Sequence, residues 1–274
     1  MPRTVAGKRA AFRELHAAGC FTLPNPWDIG SARYLQQLGF KALATTSSGL
    51  AWSLGHADNT LSRDTVLAHL RVIVQATDLP VNADFENGFG ADPAGVAESV
   101  RLAVETGVAG LSIEDSTGDA GTPQFPVDVA VERLAAARRA IDDTGGDTLL
   151  VGRAENFVVG STDLDDTIAR LNAYAAAGAD CLYAPGIKTR EQIEAVVRAV
   201  APKPVNLLIG ATSSFTVQDV AALGVRRVSV GGGLARAAWG GFISAAQGLA
   251  EGRFDGFAGA ANGGTLNGLF GDGA

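Results

Sequence analysis

The chain has 274 residues, 47% hydrophobic and 19% charged, enough for a sizeable core in one large domain or two ordinary ones. Its formal net charge of −7 argues against a nucleic-acid or anionic-membrane surface. No run of about 18 apolar residues exists to span a membrane, the N-terminus lacks a signal peptide's apolar stretch, and Cys20 and Cys181 form no C-x-x-C pair, so a reduced cytoplasmic setting is expected.

Residues 5–19 carry the periodicity of an amphipathic helix ending near Gly19. Eight short apolar runs follow: Phe21–Pro26, Lys41–Ser47, Pro80–Glu86, Gly110–Asp115, Leu149–Glu155, Cys181–Pro185, Pro204–Ile209 and Arg227–Val230. Most are separated by helical segments, among them Ser31–Leu38, Asp92–Thr106, Val127–Asp142, Leu164–Ala177, Arg190–Val200 and Val217–Leu223. Gly39, Gly107, Gly178 and Gly224 each close a helix just before a strand, as left-handed caps do. Strands alternating with helices imply parallel pairing and right-handed crossovers. Eight such units predict a (β/α)8 TIM-type barrel over residues 1–255; the alternative is an open doubly wound sheet, without a G-x-G-x-x-G after its first strand. The helix from about Ala235 to Leu249 is apolar on more than one side and is expected to be buried, on its own barrel or on a partner subunit. Residues 256–274 form a Gly-rich tail, expected to be loosely ordered or docked on a neighbour.

In such a barrel, ligands bind where the strands end. The third run ends in Asp84-Phe85-Glu86-Asn87-Gly88-Phe89-Gly90, and strand alternation would aim Asp84 and Glu86 to one side. Two carboxylates so placed suit a hard cation, the bland alternative being a solvated acidic turn. Glu114 on the next strand adds a third, and the set predicts a Mg²⁺ or Mn²⁺ site, partly through water. Arg153 could pair with a substrate carboxylate or form a structural salt bridge with Glu155 or Glu114. Ser48, Gly49 and Leu50 could offer amides to an anion or form an ordinary turn. Asn206 is the polar group of the seventh strand. No lysine ends a strand, which disfavours Schiff-base chemistry, and His16 and His69 fall on expected helices.

Taken in order, these residues resemble the isocitrate lyase/phosphoenolpyruvate mutase superfamily over roughly residues 10–255. Asp84–Gly90 is similar to its D-x-D-T-G-[YF]-G, Ile113-Glu114-Asp115 to its I-E-D, Gly152-Arg153-Ala154-Glu155 to its A-R-x-[ED], and Ser48-Gly49 to its S-G; Asp58 matches its loop aspartate and Asn206 its strand-seven asparagine. The resemblance implies a Mg²⁺-dependent carbon–carbon lyase acting on a small 2-oxo- or 2-hydroxycarboxylate through an enolate, with an oxaloacetate-like substrate. It implies metal ligation by Asp84, Glu86 and Glu114, and substrate binding by Ser48, Gly49, Leu50, Arg153 and Asn206. Catalytic roles fall to Asp58, Arg153 and Glu114, and the assembly implied is a homotetramer, a dimer of dimers that exchange the eighth helix.

The departures are as specific. Glu86 stands where the family has Asp, lengthening one metal arm. The loop Ser116–Gln124 has no Cys, Lys or His, so the gating cysteine of isocitrate and methylisocitrate lyases is absent, as are the Lys and Asn of the mutase and phosphonopyruvate hydrolase. Its Gly and short polar residues suit a mobile lid. The alternatives are P–C bond chemistry and a barrel that binds an oxoacid without turnover.

Overall fold

Each of the eight apolar runs contains one strand of a parallel sheet. In the computed structural model, which describes residues 3–271, they are β1 (Phe21–Leu23), β2 (Leu43–Ala44), β3 (Val81–Asp84), β4 (Gly110–Glu114), β5 (Leu149–Arg153), β6 (Cys181–Tyr183), β7 (Val205–Leu208) and β8 (Arg227–Ser229). The order β1-β8-β7-β6-β5-β4-β3-β2 is that of a (β/α)8 barrel. Ala44 N–H donates to the Pro24 carbonyl at 3.0 Å and Asn25 Nδ2 to the Thr45 carbonyl at 2.9 Å, drawing β2 against the end of β1.

The helices are α1 (Val5–Ala17), α2 (Ile29–Gln37), α3 (Ser47–Ser53), α4 (Arg63–Ala76), α5 (Pro93–Glu105), α6 (Val127–Asp143), α7 (Leu164–Ala176), α8 (Arg190–Val200), α9 (Val217–Ala222), α10 (Gly233–Ala250) and α11 (Gly263–Phe270). Their starts are written locally. Asp28 with Ser31, Thr189 with Gln192 and Thr216 with Asp219 form reciprocal capping boxes, and Asp92 precedes Pro93 at the start of α5. The four closing glycines all adopt positive φ, between 85° and 102°. The short α3 was not foreseen: its Ser-Ser-Gly-Leu sequence reads as a turn, and the Thr46 cap makes it a helix.

The main core lies between sheet and helices, where Leu70, Val100, Leu134 and Val196 are buried. A smaller cluster of Phe12, Phe21, Leu23, Ala42, Ala44, Ala109 and Leu149 fills the lower barrel. Helix α1 seals that end. Lys8 Nζ donates to the Val74 and Thr77 carbonyls at 2.8 and 2.5 Å, and Arg9 Nη2 to the Val104 carbonyl at 2.8 Å, so cations satisfy the C-terminal ends of α4 and α5.

Of the two burial sites expected for the helix after β8, its own barrel is not the one used. Only Ala235 and Gly248 of α10 are buried, while Trp239, Phe242, Ile243 and Leu249 are exposed, Phe242 at 62%. Over the described residues the tail lies against its own chain. A 3-10 turn, Asp255–Phe257, folds back on α10, bringing Gly256 against Ala245. Helix α11 then rests on α2 of the same chain, with Gln37 Nε2 donating to the Leu269 carbonyl at 2.7 Å. Residues 272–274 of the predicted tail lie outside the described residues.

Candidate active site

The C-terminal ends of the strands surround a cavity of about 140 Å³. Its wall includes Ser47, Ser48, Asp58, Asp84, Arg153, Tyr183 and Gly232, and its floor descends to Asn82, Ser112, Arg227 and Ser229. Strand alternation explains the floor: Asn82 and Asp84 on β3, and Arg227 and Ser229 on β8, are i, i+2 pairs facing inward.

Asp84 is held from two sides. Its amide donates to Thr45 Oγ1 at 2.9 Å, and its Oδ2 accepts the Ser47 N–H at 2.9 Å. Its Oδ1 lies 3.3 Å from Arg153 Nη1. That nitrogen is also 3.0 Å from Glu114 Oε2, and Arg153 Nε pairs with Glu155. The guanidinium therefore ties β3, β4 and β5 together, and both structural partners anticipated for Arg153 are present. Nη2 lies outside these pairs, and the ring of Tyr183 sits 5.1 Å from the guanidinium carbon.

Glu86 does not reach the site by strand alternation. Strand β3 ends at Asp84, and Glu86 opens the following turn with φ of 46°. It still senses the cluster: burial, then the charges of Asp84 and Asp58, push its carboxyl up to about 8. Burial likewise raises Glu114, against the attraction of Arg153. Asp58 stands at the exposed rim; partial burial of its carboxyl, more than the Asp84 charge, holds it above the usual carboxylate range.

Among the described residues, no three His, Cys, Asp or Glu side chains are arranged to hold a metal ion between them. The expected three-carboxylate cage is therefore not formed in this conformation. The donor chemistry nevertheless fits Mg²⁺, which keeps several waters and needs only one or two carboxylates. Asp84, Glu114 and Glu155 share one guanidinium, and Glu86, buried beside the charges of Asp84 and Asp58, adds a fourth carboxyl to the cluster.

The expected anion cradle is narrower than three amides. In the first turn of α3, Ser47 N–H goes to Asp84, Gly49 N–H to Thr46 Oγ1 at 3.3 Å and Leu50 N–H to the Thr46 carbonyl at 3.1 Å. The Ser48 N–H takes part in none of these bonds. Gly232 approaches it so closely that a Cβ there would stand 2.7 Å from Ser48 Oγ. Asn206 does not join the site wall. It is fully buried, its Nδ2 donates to Ser229 Oγ at 3.0 Å, and its Oδ1 accepts from Arg227 Nε at 2.8 Å.

The loop 116–125 stands clear of the cavity in this conformation. Ser116 and Gln124 form an antiparallel bridge, Thr117 N–H donates to the Pro123 carbonyl at 3.1 Å, and none of these residues lines the cavity. Gln124 Nε2 reaches Asp115 Oδ2 at 3.0 Å and Asn156 Oδ1 at 3.1 Å, fastening the stem of the loop. Arg133, unforeseen from sequence, donates from α6 to the Asn87 and Gly90 carbonyls at 2.8 and 2.9 Å and lies over Phe125 at 4.4 Å. It thereby fixes the turn after Asp84 against that stem. Its only sequence signal is a charged residue on the apolar face of α6.

The sequence profile of the phosphoenolpyruvate phosphomutase family matches residues 12–250. The chain is 33% identical to the oxaloacetate decarboxylase of Paraburkholderia xenovorans strain LB400, over 76% of this chain and 70% of that one. Its fold superposes on a provisionally assigned lyase/mutase from Burkholderia cenocepacia J2315 with a TM-score of 0.95 and 50% identity, over 98% of both chains. It superposes on phosphonopyruvate hydrolase in complex with oxalate and Mg²⁺ with a TM-score of 0.85 and 27% identity, over 97% of this chain and 95% of that one.

Proposed function

The chain belongs to the phosphoenolpyruvate phosphomutase family, and from that premise we propose that it is a Mg²⁺- or Mn²⁺-dependent lyase. Its substrate is a small 2-oxo- or 2-hydroxycarboxylate of the oxaloacetate type, and the reaction is decarboxylation or C–C cleavage through an enolate. The observation that carries this is the shared guanidinium of Arg153 among Asp84, Glu114 and Glu155 at the strand ends. The relation to oxaloacetate decarboxylases supports the substrate class, and the Mg²⁺–oxalate complex of a structural relative supports the metal.

Asp84, Glu86 and Glu114 are the carboxylates that would hold the cation. When bound, the cation supplies Lewis-acid stabilisation of negative charge developing at the oxo oxygen. Arg153 orients the substrate carboxylate through Nη2, the nitrogen outside its ion pairs. The Ser48 N–H adds a donor at the opposite wall. Asp58, at the rim and raised in pKa, moves a proton between the product carbon and solvent.

The test is a panel of oxaloacetate, isocitrate, 2-methylisocitrate and phosphonopyruvate, with Mg²⁺ or with a chelator, assayed for pyruvate, glyoxylate and phosphate. Metal-dependent pyruvate from oxaloacetate is expected. Phosphate from phosphonopyruvate would instead establish P–C chemistry, and turnover insensitive to the chelator would overturn the metal assignment.

A further inference from the structure

Arg227 carries a charge that the barrel does not neutralise. It is 2% exposed, yet it lines the cavity floor together with Asn82, Ser112 and Ser229. Its Nε donates to Asn206 Oδ1 at 2.8 Å, and its Nη1 lies 3.3 Å from both Asn82 Oδ1 and His16 Nε2. All three partners are neutral. His16 Nδ1 is 2.7 Å from the Phe12 carbonyl and so carries the proton, leaving Nε2 as the acceptor facing Arg227. Among the described residues Arg227 forms no ion pair, whereas the half-buried Arg153 and Arg170 both pair with carboxylates. A buried charge without a counter-charge is costly, and the usual remedy is a partner of opposite sign.

We propose that the floor of the cavity is a carboxylate-binding subsite built on Arg227, with Asn82 and Ser229 beside it. The cavity then has a cation at each end, Arg153 near the mouth and Arg227 at the floor. This arrangement selects a dicarboxylate: one carboxylate bound near Arg153, the other descending to Arg227. The inference rests on the reading that this cavity receives an oxaloacetate-type acid, and it deepens that reading by assigning the second carboxylate a place, the floor at Arg227. A purely structural role, tying β3, β7 and β8 to α1, would confer no such selectivity.

Malate and lactate differ in the second carboxylate, so calorimetric titration of each in Mg²⁺ isolates its contribution. In the wild type malate binds about ten- to hundredfold more tightly than lactate, the range of one charge-assisted contact. Arg227→Gln brings the ratio near one, and Arg227→Lys restores part of it. A wild-type ratio near one, or a ratio unchanged in Arg227→Gln, overturns the subsite, and the first of these needs no variant to fold. Formate protection of the metal-free protein against thermal unfolding separates the two claims. Protection of the wild type but not of Arg227→Gln, with neither hydroxyacid bound, keeps the subsite and rejects the oxoacid reading. Equal protection of both proteins rejects the subsite.

Discussion

Single residues set the chemistry at both ends of the barrel interior. At the mouth, Gly232 has no Cβ because Ser48 Oγ occupies that space, so a side chain there would push the Ser48 turn off the cavity. Below the floor, burial and then the neighbouring Arg227 hold the His16 pKa near 3, and burial holds that of His69 near 4. Both values lie below the 6.5 of an unfolded histidine, so the unfolded chain takes up these protons first as the pH falls. The stability they contribute is complete above about pH 6.5 and is lost on acidification towards 3–4. At pH 5 the loss is up to about 2 kcal/mol for each. Urea unfolding at pH 7 and pH 5 should therefore show His16→Gln losing about 2 kcal/mol less than the wild type over that interval; an equal loss contradicts the assignment.

The elements hold the site through a network behind it. Asp115, at the end of β4, accepts the Glu155 N–H at 2.8 Å, Arg170 Nη1 at 3.2 Å and Gln124 Nε2 at 3.0 Å, and Tyr174 on α7 donates its hydroxyl to the same carboxylate. Burial first, then Asp115, raises the Tyr174 phenol far above its ordinary range, so it remains a donor. Tyr174→Phe removes one donor from a buried carboxylate that keeps three others. It should cost about 1–2 kcal/mol in denaturant unfolding while metal-dependent turnover persists. Loss of turnover with unchanged stability would mean that the network acts on the substrate.

Most of this element layout was legible in the sequence. The eight strands and the four positive-φ glycines could be read because periodicity and capping are local. Asp84, Arg153 and Glu114 could be placed together because strand ends share one face of a barrel. What was not legible depends on backbone detail or on distance in the chain. Glu86 leaves the strand through a positive φ, which alternation does not register. Arg133 and Arg227 act on partners 43 and 145 residues away, visible only once the barrel has closed. The apolar pattern of α10 does not say whether its own barrel or another chain covers it, and in the single chain its large apolar residues are exposed.

On the scale of the molecule, α10 remains the exposed apolar element. Trp239, Phe242, Ile243 and Leu249 face outward in the single chain, and Trp239 and Phe242 pack edge to face at 5.4 Å. The helix exchange implied by the family resemblance would cover them with a second copy. Phe242→Glu should shift the mass measured by light scattering from an oligomer towards the monomer; a wild type that is already monomeric would refute this. Among the described residues no helix is long and apolar enough to cross a membrane.

Calorimetric titration of oxalate, with and without Mg²⁺, into the wild type and Asp84→Ala tests most directly whether the strand-end carboxylates form a metal-requiring oxoacid site. Binding is predicted only for the wild type and only with Mg²⁺ present. Oxalate binding that persists without Mg²⁺, or that survives Asp84→Ala unchanged, would contradict it.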